Sequence, residues 1–234
     1  MKKKLWRIPL GIILAVIIFC AIYMSNYYHA TDHAKEFLKG TDAVAVSDIS
    51  GGLLFDGPGD ETALIFYPGA KVEYTAYAPL MCELAGEGMD CFLVKMPCNL
   101  AFLGKNKADG IIEVNDYSRW IIGGHSLGGV MAAEYAAEND LDGLVLLAAY
   151  PTEKVDEPTL EFFGTEDGVL NMEKLEEEDR YLPENNMEVE IRGGNHAQFG
   201  DYGVQRGDGK ATIAAEAQQN EVVNSVIDFF EITY

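Results

Sequence analysis

The sequence predicts an α/β fold, with a mostly parallel central sheet, helices on both faces of the sheet and one apolar helix before it. Three observations support this prediction. Strand-like apolar runs alternate with helix-like segments over about 200 residues, the size of a single domain. The run GLVLLAA at 143–149 is apolar throughout, which is typical of a strand buried on both faces. Residues 120–137 begin as a strand, turn sharply at glycines and continue as a helix.

The other predicted elements follow in chain order. Residues 43–47 and 52–56 are predicted to form an opening pair of strands, and a Gly- and Pro-rich turn at 56–60 leads into the third strand. Further strands are predicted from about 160 and at 187–191. Helices are predicted at 74–86, 107–118, 172–181 and 211–230. The last helix has a core-facing apolar stripe, formed by Val222, Val223, Val226, Ile227 and Phe230.

The sharp turn is the segment Gly124-His125-Ser126-Leu127-Gly128. Such a turn holds its central residue in a strained backbone conformation, and its two glycines let strand and helix approach without Cβ clashes. Ser126 Oγ is therefore expected at the carboxyl edge of the sheet. The amide of Leu127 opens the helix and points the same way, so it suits an oxyanion. The pattern favours Ser126 as a nucleophile.

A serine nucleophile needs a base, and the chain has four histidines. His29 and His33 follow the N-terminal apolar segment, far from any predicted strand end, and are expected to be solvated. His125 lies inside the turn, where packing or a place in the substrate pocket suits it better than the role of base. His196 follows the alternating strand 187–191 and is the predicted base.

The carboxylate that orients the base is expected in the strand and turn at 160–168. Asp167 is preferred, and its neighbour Glu166 stays as the alternative, because spacing alone does not separate adjacent carboxylates. The resulting order along the chain is Ser126, Asp167, His196. Three separate segments therefore agree on one Ser-His-Asp triad.

With these motifs the chain resembles the α/β-hydrolases, and within them the small, lid-poor members of the dienelactone-hydrolase type. The resemblance spans about 44–230. It includes 63–70, which is similar to the third strand and oxyanion loop of the family, and 90–97, which is similar to the following strand. Residues 195–203 resemble a subgroup of uncharacterised bacterial hydrolases. The resemblance implies an α/β-hydrolase fold without a cap domain.

The resemblance also implies an oxyanion hole. The backbone N–H of Ala70 is expected to join that of Leu127 as a donor, and Lys71 is the alternative to Ala70. The family often has His-Gly in this loop, where this chain has Pro68-Gly69. The contact is made by main chain, so it does not need that histidine. No metal ion and no organic cofactor is expected for this chemistry.

The substrate pocket is expected to be open. Only residues 151–159 separate two predicted strands at the place where many α/β-hydrolases insert a cap. The loops 99–106 and 197–210 should border the pocket. An open site suits a bulky or polymer-attached ester better than a long acyl chain that needs a tunnel. The side chains expected around the pocket are Lys71, Tyr74, Phe102, His125, Phe199 and Tyr202.

The N-terminus is predicted to anchor the protein in the cell membrane as a single-pass helix. Residues 8–28 carry no charge and, as a helix, would cross the roughly 30 Å hydrocarbon core of a bilayer. The preceding lysines and Arg7 favour a catalytic domain on the extracytoplasmic side. The predicted organisation is an anchor at 1–30, a juxtamembrane stretch at 31–42 and a catalytic domain at 43–234. Secretion after signal cleavage is the alternative.

Composition and cysteine spacing exclude some partners and sites. The net charge is −21, all 38 acidic residues follow residue 28, and four of the 17 basic residues precede it. So acidic a domain is not expected to bind nucleic acid. Beyond the anchor, Cys82, Cys91 and Cys98 have no metal-ligand spacing. Buried thiols are expected, and a disulfide between Cys82 and Cys91 is left open.

The sequence therefore predicts a membrane-anchored serine hydrolase whose substrate is a small-molecule or polymer-attached carboxylic ester. The same triad serves acyl transfer and the cleavage of thioesters or amides, so these reactions stay as alternatives. A catalytically silent fold used as a membrane-tethered binding module is the third alternative. An intact Ser, His and Asp set argues against it.

Overall fold

The structure, a computed structural model, describes residues 7–233. These residues form strands and helices in close alternation. The strands are β1 (Ala45–Ile49), β2 (Gly52–Asp56), β3 (Thr62–Tyr67), β4 (Met89–Val94), β5 (Arg119–His125), β6 (Gly143–Leu147), β7 (Thr159–Gly164) and β8 (Asn186–Ile191). The helices are α1 (Arg7–Ser25), α2 (Asp32–Glu36), α3 (Ala78–Gly86), α4 (Asp109–Ile112), α5 (Leu127–Ala136), α6 (Met172–Glu178) and α7 (Ala215–Phe229).

All eight strands join in one sheet, in the order β1-β2-β4-β3-β5-β6-β7-β8. β2 pairs antiparallel with β1 and with β4, and every other pair is parallel. The mostly parallel sheet that the sequence predicts is confirmed. The carboxyl ends of β3 to β8 lie along one edge, and in sheets of this kind ligands bind beyond that edge.

Each face of the sheet carries its own apolar core. On β3, Leu64 and Phe66 pack in the core formed with α3 and α7, whereas Ala63, Ile65 and Tyr67 pack in the core formed with α5. Alternate side chains of a strand point to opposite faces, so a strand covered on both sides is apolar throughout. Each large apolar side chain that is fully buried contributes about 1.5–3 kcal/mol to stability.

The helix predicted at 107–118 is shorter in the structure. A 3₁₀ turn (Lys105–Ala108) leads into α4, which ends at Ile112. The side-chain amide of Asn115 donates to the carbonyl of Ile111 at 2.7 Å. A short polar side chain that bonds the last turn in this way competes with continuation of the helix.

The C-terminal helix predicted at 211–230 begins four residues later, at Ala215. The backbone N–H of Thr212 donates to the carbonyl of Gly193 at 2.8 Å, so this part of the chain is bonded to another loop instead of to its own helix. The predicted core-facing stripe is present. Its buried members are Val222, Val223, Val226 and Phe230, and Ile227 is half-buried.

Helix α1 covers most of the predicted membrane span of 8–28 but ends at Ser25. Tyr28 instead forms an isolated parallel bridge with Val72. Residues 1–6, which include the three lysines of the basic flank, lie outside the described residues. In the part of the chain that the structure describes, no helix combines the length and the apolar character that crossing a membrane requires. The membrane anchor stays a prediction.

The connection between β6 and β7, residues 148–158, contains no helix or strand. It therefore adds no domain at the carboxyl edge of the sheet. The three cysteines after α1 are free thiols: Cys82 and Cys91 are buried and Cys98 is exposed. The disulfide between Cys82 and Cys91 that the sequence left open is not formed in this structure.

Candidate active site

Ser126 lies at the apex of the turn between β5 and α5. Its backbone has φ of +53°, and its N–H donates to the carbonyl of Leu147 at 2.9 Å. The glycines on either side are required by close backbone contacts. A Cβ on Gly124 would lie 2.6 Å from the carbonyl carbon of Gly128, and one on Gly128 would lie 2.2 Å from the carbonyl oxygen of Tyr67. The strain and the close packing together hold Ser126 at the edge of the sheet.

His196 and Asp167 form a buried pair at the same edge. His196 Nδ1 lies 2.8 Å from Asp167 Oδ2, and neither side chain is exposed beyond 2%. Asp167 Oδ1 accepts from the amides of Val169 and Leu170, each at 2.8 Å. Burial by itself raises the pKa of Asp167. The hydrogen bond and charge of His196 and the two amides outweigh burial and hold the pKa of Asp167 below its usual value.

The neighbouring carboxylate, Glu166, lies elsewhere. Its side chain is exposed and contacts the hydroxyl of Thr165, and its backbone N–H donates to the carbonyl of Gly194. The structure therefore brings Asp167, and not Glu166, to His196. Spacing could not make this choice, because it depends on which of two adjacent side chains points into the sheet edge.

Ser126 and His196 are brought together less directly. In the described part of the chain, no hydrogen bond joins Ser126 Oγ to His196. His125, which precedes Ser126, links the two regions, because its ring centroid lies 4.5 Å from that of His196. Catalytic hydrogen bonds are often long before substrate binds and tighten in the complex.

The backbone donors expected for an oxyanion differ in their availability. Lys71 N–H donates to the carbonyl of Asn99 at 2.7 Å and is therefore engaged. The N–H groups of Ala70 and Leu127 donate to no acceptor among residues 7–233. Leu127 is the first residue of α5, so its amide also lies at the positive end of the helix dipole.

His125 was expected as a packing or pocket residue, and the structure gives it a packing role beneath the site. Its side chain is buried, and its Nδ1 lies 2.7 Å from the hydroxyl of Tyr77. The same hydroxyl accepts from Gly69 N–H at 3.1 Å, so Tyr77 bonds both His125 and Gly69. Burial and the neighbouring His196 hold the pKa of His125 well below its usual range, so the ring is neutral.

Tyr77 is a residue that the sequence analysis missed. It joins the oxyanion loop, through Gly69, to the end of β5, through His125. Nothing in its sequence context marks it, because it lies in a predicted helix 48 residues from its partner. Only the packing of that helix against the sheet brings the three groups together.

The other side chains expected around the pocket differ in their exposure. Phe199 and Tyr202 are buried, and their ring centroids lie 5.7 and 6.4 Å from that of His125. They pack around His125. Phe102 is exposed, and Tyr74 and Lys71 are partly exposed.

Both loops expected to border the pocket form concave surfaces. One, of about 410 Å³, is lined by residues between Asn195 and Ala215. The other, of about 510 Å³, is lined by residues from Phe102 to Lys107. Ser126 lines neither of them. The open pocket around Ser126 therefore stays a prediction.

Asp208 holds the loop of His196 in place and was also missed. Its carboxylate accepts from the backbone N–H of His196 at 3.3 Å, of Ala197 at 2.8 Å and of Gly168 at 3.1 Å. It therefore ties the segment after Asp167 to the segment of His196. The Gly-Asp-Gly sequence at 207–209 is a turn signal that could have drawn attention to it.

Residues 26–36, here called the N-terminal strap, pack against the predicted oxyanion loop. Tyr28 N–H donates to the carbonyl of Lys71 at 2.7 Å, and Glu73 N–H donates to the carbonyl of Tyr28 at 2.8 Å. The hydroxyl of Tyr28 accepts from Arg206 N–H at 3.1 Å. Farther along the strap, His33 Nδ1 lies 2.6 Å from Asp201 Oδ2. The strap thus touches both loops that carry candidate site residues.

Comparisons with known proteins agree with this architecture. Two crystal structures are similar in fold: a predicted CIB-like hydrolase from Thermoplasma acidophilum (TM-score 0.58, 14% identity, 79% of this chain and 99% of that one) and TT1662 from Thermus thermophilus (TM-score 0.59, 11% identity, 81% and 99%). At such identities the likeness concerns the fold alone. No curated protein matches the chain significantly. The model of the alpha/beta hydrolase family matches residues 63–220, well over half of the sequence. The chain belongs to the alpha/beta hydrolase family.

Proposed function

We propose that this protein is a membrane-anchored serine hydrolase that cleaves a carboxylic ester, with Ser126 as nucleophile, His196 as base and Asp167 as the residue that orients His196. The observation that carries the proposal is the 2.8 Å contact between His196 Nδ1 and Asp167 Oδ2, both buried beside the strained turn of Ser126. A buried carboxylate on one nitrogen of an imidazole leaves the other nitrogen to act as a base.

The proposed reaction begins with proton transfer. The Nδ1–H of His196 donates to Asp167, so Nε2 carries the lone pair that takes the proton of Ser126 Oγ. The low pKa of Asp167 supports this role, since the carboxylate stays ionised and stabilises the imidazolium. Ser126 Oγ then forms a bond to the acyl carbon, and the carbonyl oxygen takes up the negative charge.

Two backbone N–H groups that donate to no other acceptor can bind that oxygen. We assign Leu127 N–H and Ala70 N–H as the oxyanion donors, because both are free of other bonds while Lys71 N–H is not. Collapse of the tetrahedral intermediate breaks the bond to the alcohol, which leaves with the proton from His196. Water, deprotonated by the same histidine, then attacks the acyl-enzyme and releases the acid and Ser126.

We further propose that α1 anchors the enzyme with this site close to the membrane. The uncharged run at 8–28 supports an anchor, and the strap that follows α1 is bonded to the oxyanion loop at Lys71. The Nζ of Lys71 also lies 4.1 Å from the ring centroid of Tyr23 in α1. The substrate class is a small-molecule or polymer-attached ester that is accessible from the membrane surface.

The test uses the full-length protein in detergent micelles, a fluorophosphonate probe and a series of short p-nitrophenyl esters. The wild type should be labelled and should hydrolyse the esters. Ser126→Ala should lose labelling, and Ser126→Ala and His196→Ala should each lower kcat by on the order of 10⁴ to 10⁶. Ser47→Ala is the matched control, because Ser47 is an exposed serine on β1.

Any other result of the labelling and hydrolysis test would indicate a different function. A folded wild type that takes no label would overturn the proposal in favour of a silent binding module. Labelling of Ser126 with turnover only of a thioester or anilide would replace the ester by those substrates. Labelling with turnover only when an alcohol or amine acceptor is added would indicate an acyltransferase.

A further inference from the structure

A second group of chemistry-bearing side chains lies away from Ser126, at the outer end of the sheet. Glu161 on β7 and Glu188 on β8 are paired in the strand register. Asp179 follows α6 in the crossover that connects these two strands. One carboxylate oxygen from each of the three residues lies within 4.8 Å of the others. The spacing of these residues in the chain did not predict the cluster, because its members come from three elements.

Glu161 makes this cluster unusual. Its side chain is only 1% exposed, and neither carboxylate oxygen has a hydrogen-bond partner in the described residues. In the same part of the chain, no Lys or Arg forms an ion pair with Glu161, Asp179 or Glu188. Burying a carboxylate without a partner costs free energy. A cation bound by the three facing carboxylates would offset that cost.

We propose that Glu161, Asp179 and Glu188 form a binding site for a hard divalent cation, with Ca²⁺ as the preferred ion. Carboxylate oxygens are the ligands that Ca²⁺ takes, at 2.3–2.6 Å. Two ligands of one such ion are at most about 5 Å apart, which fits the 4.8 Å limit of this cluster. Asp179 and Glu188 are exposed, so the ion has a path of entry and water completes its coordination.

Mg²⁺ is the poorer fit. It demands near-ideal octahedral geometry at about 2.0–2.1 Å and keeps most of its water. Ca²⁺ accepts irregular sets of six to eight oxygens, including carboxylates that bind through both atoms. Three carboxylates from two strands and a crossover form such an irregular set.

The ion would fasten the crossover to the sheet. The crossover begins in the loop of Asp167, continues through α6 and Asp179, and returns as β8. A cation held by all three residues would join both strands to the end of α6. Binding to the folded state alone raises stability by mass action, so the stabilisation is measurable without any assay of activity.

The test is the melting temperature of full-length protein in detergent, stripped with EDTA and then titrated with CaCl₂ or with MgCl₂. At Ca²⁺ a hundredfold above its Kd, Tm should rise by roughly 5–10 °C. Mg²⁺ at the same concentration should raise Tm by less. Calorimetric titration should give one Ca²⁺ site per chain.

Two variants locate the site. Glu161→Gln keeps the size of the side chain and should abolish the rise in Tm, and Asp179→Asn, at an exposed position, should reduce it by half or more. Glu177→Gln, which changes an exposed carboxylate on α6, is the matched control and should leave the rise unchanged. Absence of any Ca²⁺-dependent rise in the wild type overturns the proposal. A rise that persists undiminished in both site variants also overturns it, because the ion would then bind elsewhere.

Discussion

At the residue scale, the candidate site depends on the charge and position of Asp167. One oxygen faces His196 Nδ1, and the other is held by the amides of Val169 and Leu170. These contacts fix both the ring and the carboxylate. The low pKa of Asp167 keeps the carboxylate ionised at neutral pH, which is the form that the proposed mechanism uses.

The first prediction at this scale separates Asp167 from its neighbour. Asp167→Asn should lower kcat by on the order of 10³ to 10⁴, because an amide N–H facing His196 Nδ1 favours the wrong tautomer of the ring. Glu166→Gln changes the same charge at an exposed position and should stay within about twofold of the wild type. Steady-state ester hydrolysis by both folded variants makes the comparison. The reverse pattern would transfer the role to Glu166.

The second prediction concerns how the free energy of unfolding depends on pH. The pKa of Asp167 is lower in the folded state than in the unfolded chain, where it is about 3.9, so the folded state binds fewer protons. The stability that Asp167 contributes is therefore present above about pH 4 and is lost as pH falls through the folded pKa. At pH 7 the free energy of unfolding of Asp167→Asn should be about 2 kcal/mol lower than that of the wild type. Urea unfolding should show this difference narrowing below about pH 4. A difference that is constant with pH would contradict the assignment of an ionised, bonded carboxylate.

At the scale of elements, the N-terminal strap is part of the site's support. The strap forms two backbone hydrogen bonds just after the predicted oxyanion loop, through Tyr28 to Lys71 and Glu73. On the sequence alone, residues before 31 hold no candidate site residue. The structure instead indicates that the chain from residue 26 onward helps to hold the loop that carries Ala70.

Two shortened chains test this role. A chain of residues 26–234 keeps the strap and should match the full-length protein in kcat/KM. A chain of residues 31–234 loses the two backbone bonds of Tyr28. Its Tm should fall by roughly 4–8 °C. Its kcat/KM should fall between about 10- and 100-fold, because the oxyanion donor is less well positioned. Ester hydrolysis and thermal unfolding of both chains are the measurements. Equal Tm and equal kcat/KM would show that the strap has no such role.

At the scale of the whole molecule, the prediction concerns location. If residues 8–28 form an uncleaved anchor, the full-length protein should stay in the membrane fraction after a high-salt wash, while the 26–234 chain should not. Protease added to intact cells should digest the catalytic domain, because the basic residues before the anchor favour a cytoplasmic N-terminus. Protection of the domain from the protease would indicate the opposite orientation. A mature chain that begins after the apolar run would identify a secreted enzyme.

Local patterns in the sequence predicted much of the architecture. The alternation of strands and helices predicted the mostly parallel sheet, and the glycines around Ser126 predicted the sharp turn. These features rest on neighbours within a few residues, where backbone sterics and apolar periodicity act directly. Element ends were less accurate, as at 107–118 and 211–230, because distant hydrogen bonds or single side chains end those helices.

The sequence by itself therefore determined the fold class, the turn of Ser126 and the loop position of His196. Only the tertiary structure decided that Asp167 rather than Glu166 faces His196, and that the strap reaches the oxyanion loop. It also decided that Glu161 is buried without a partner. These outcomes depend on which side chains meet across the sheet edge, over separations of tens of residues. Burial and distance arise from the packing of whole elements, and a local pattern does not contain them.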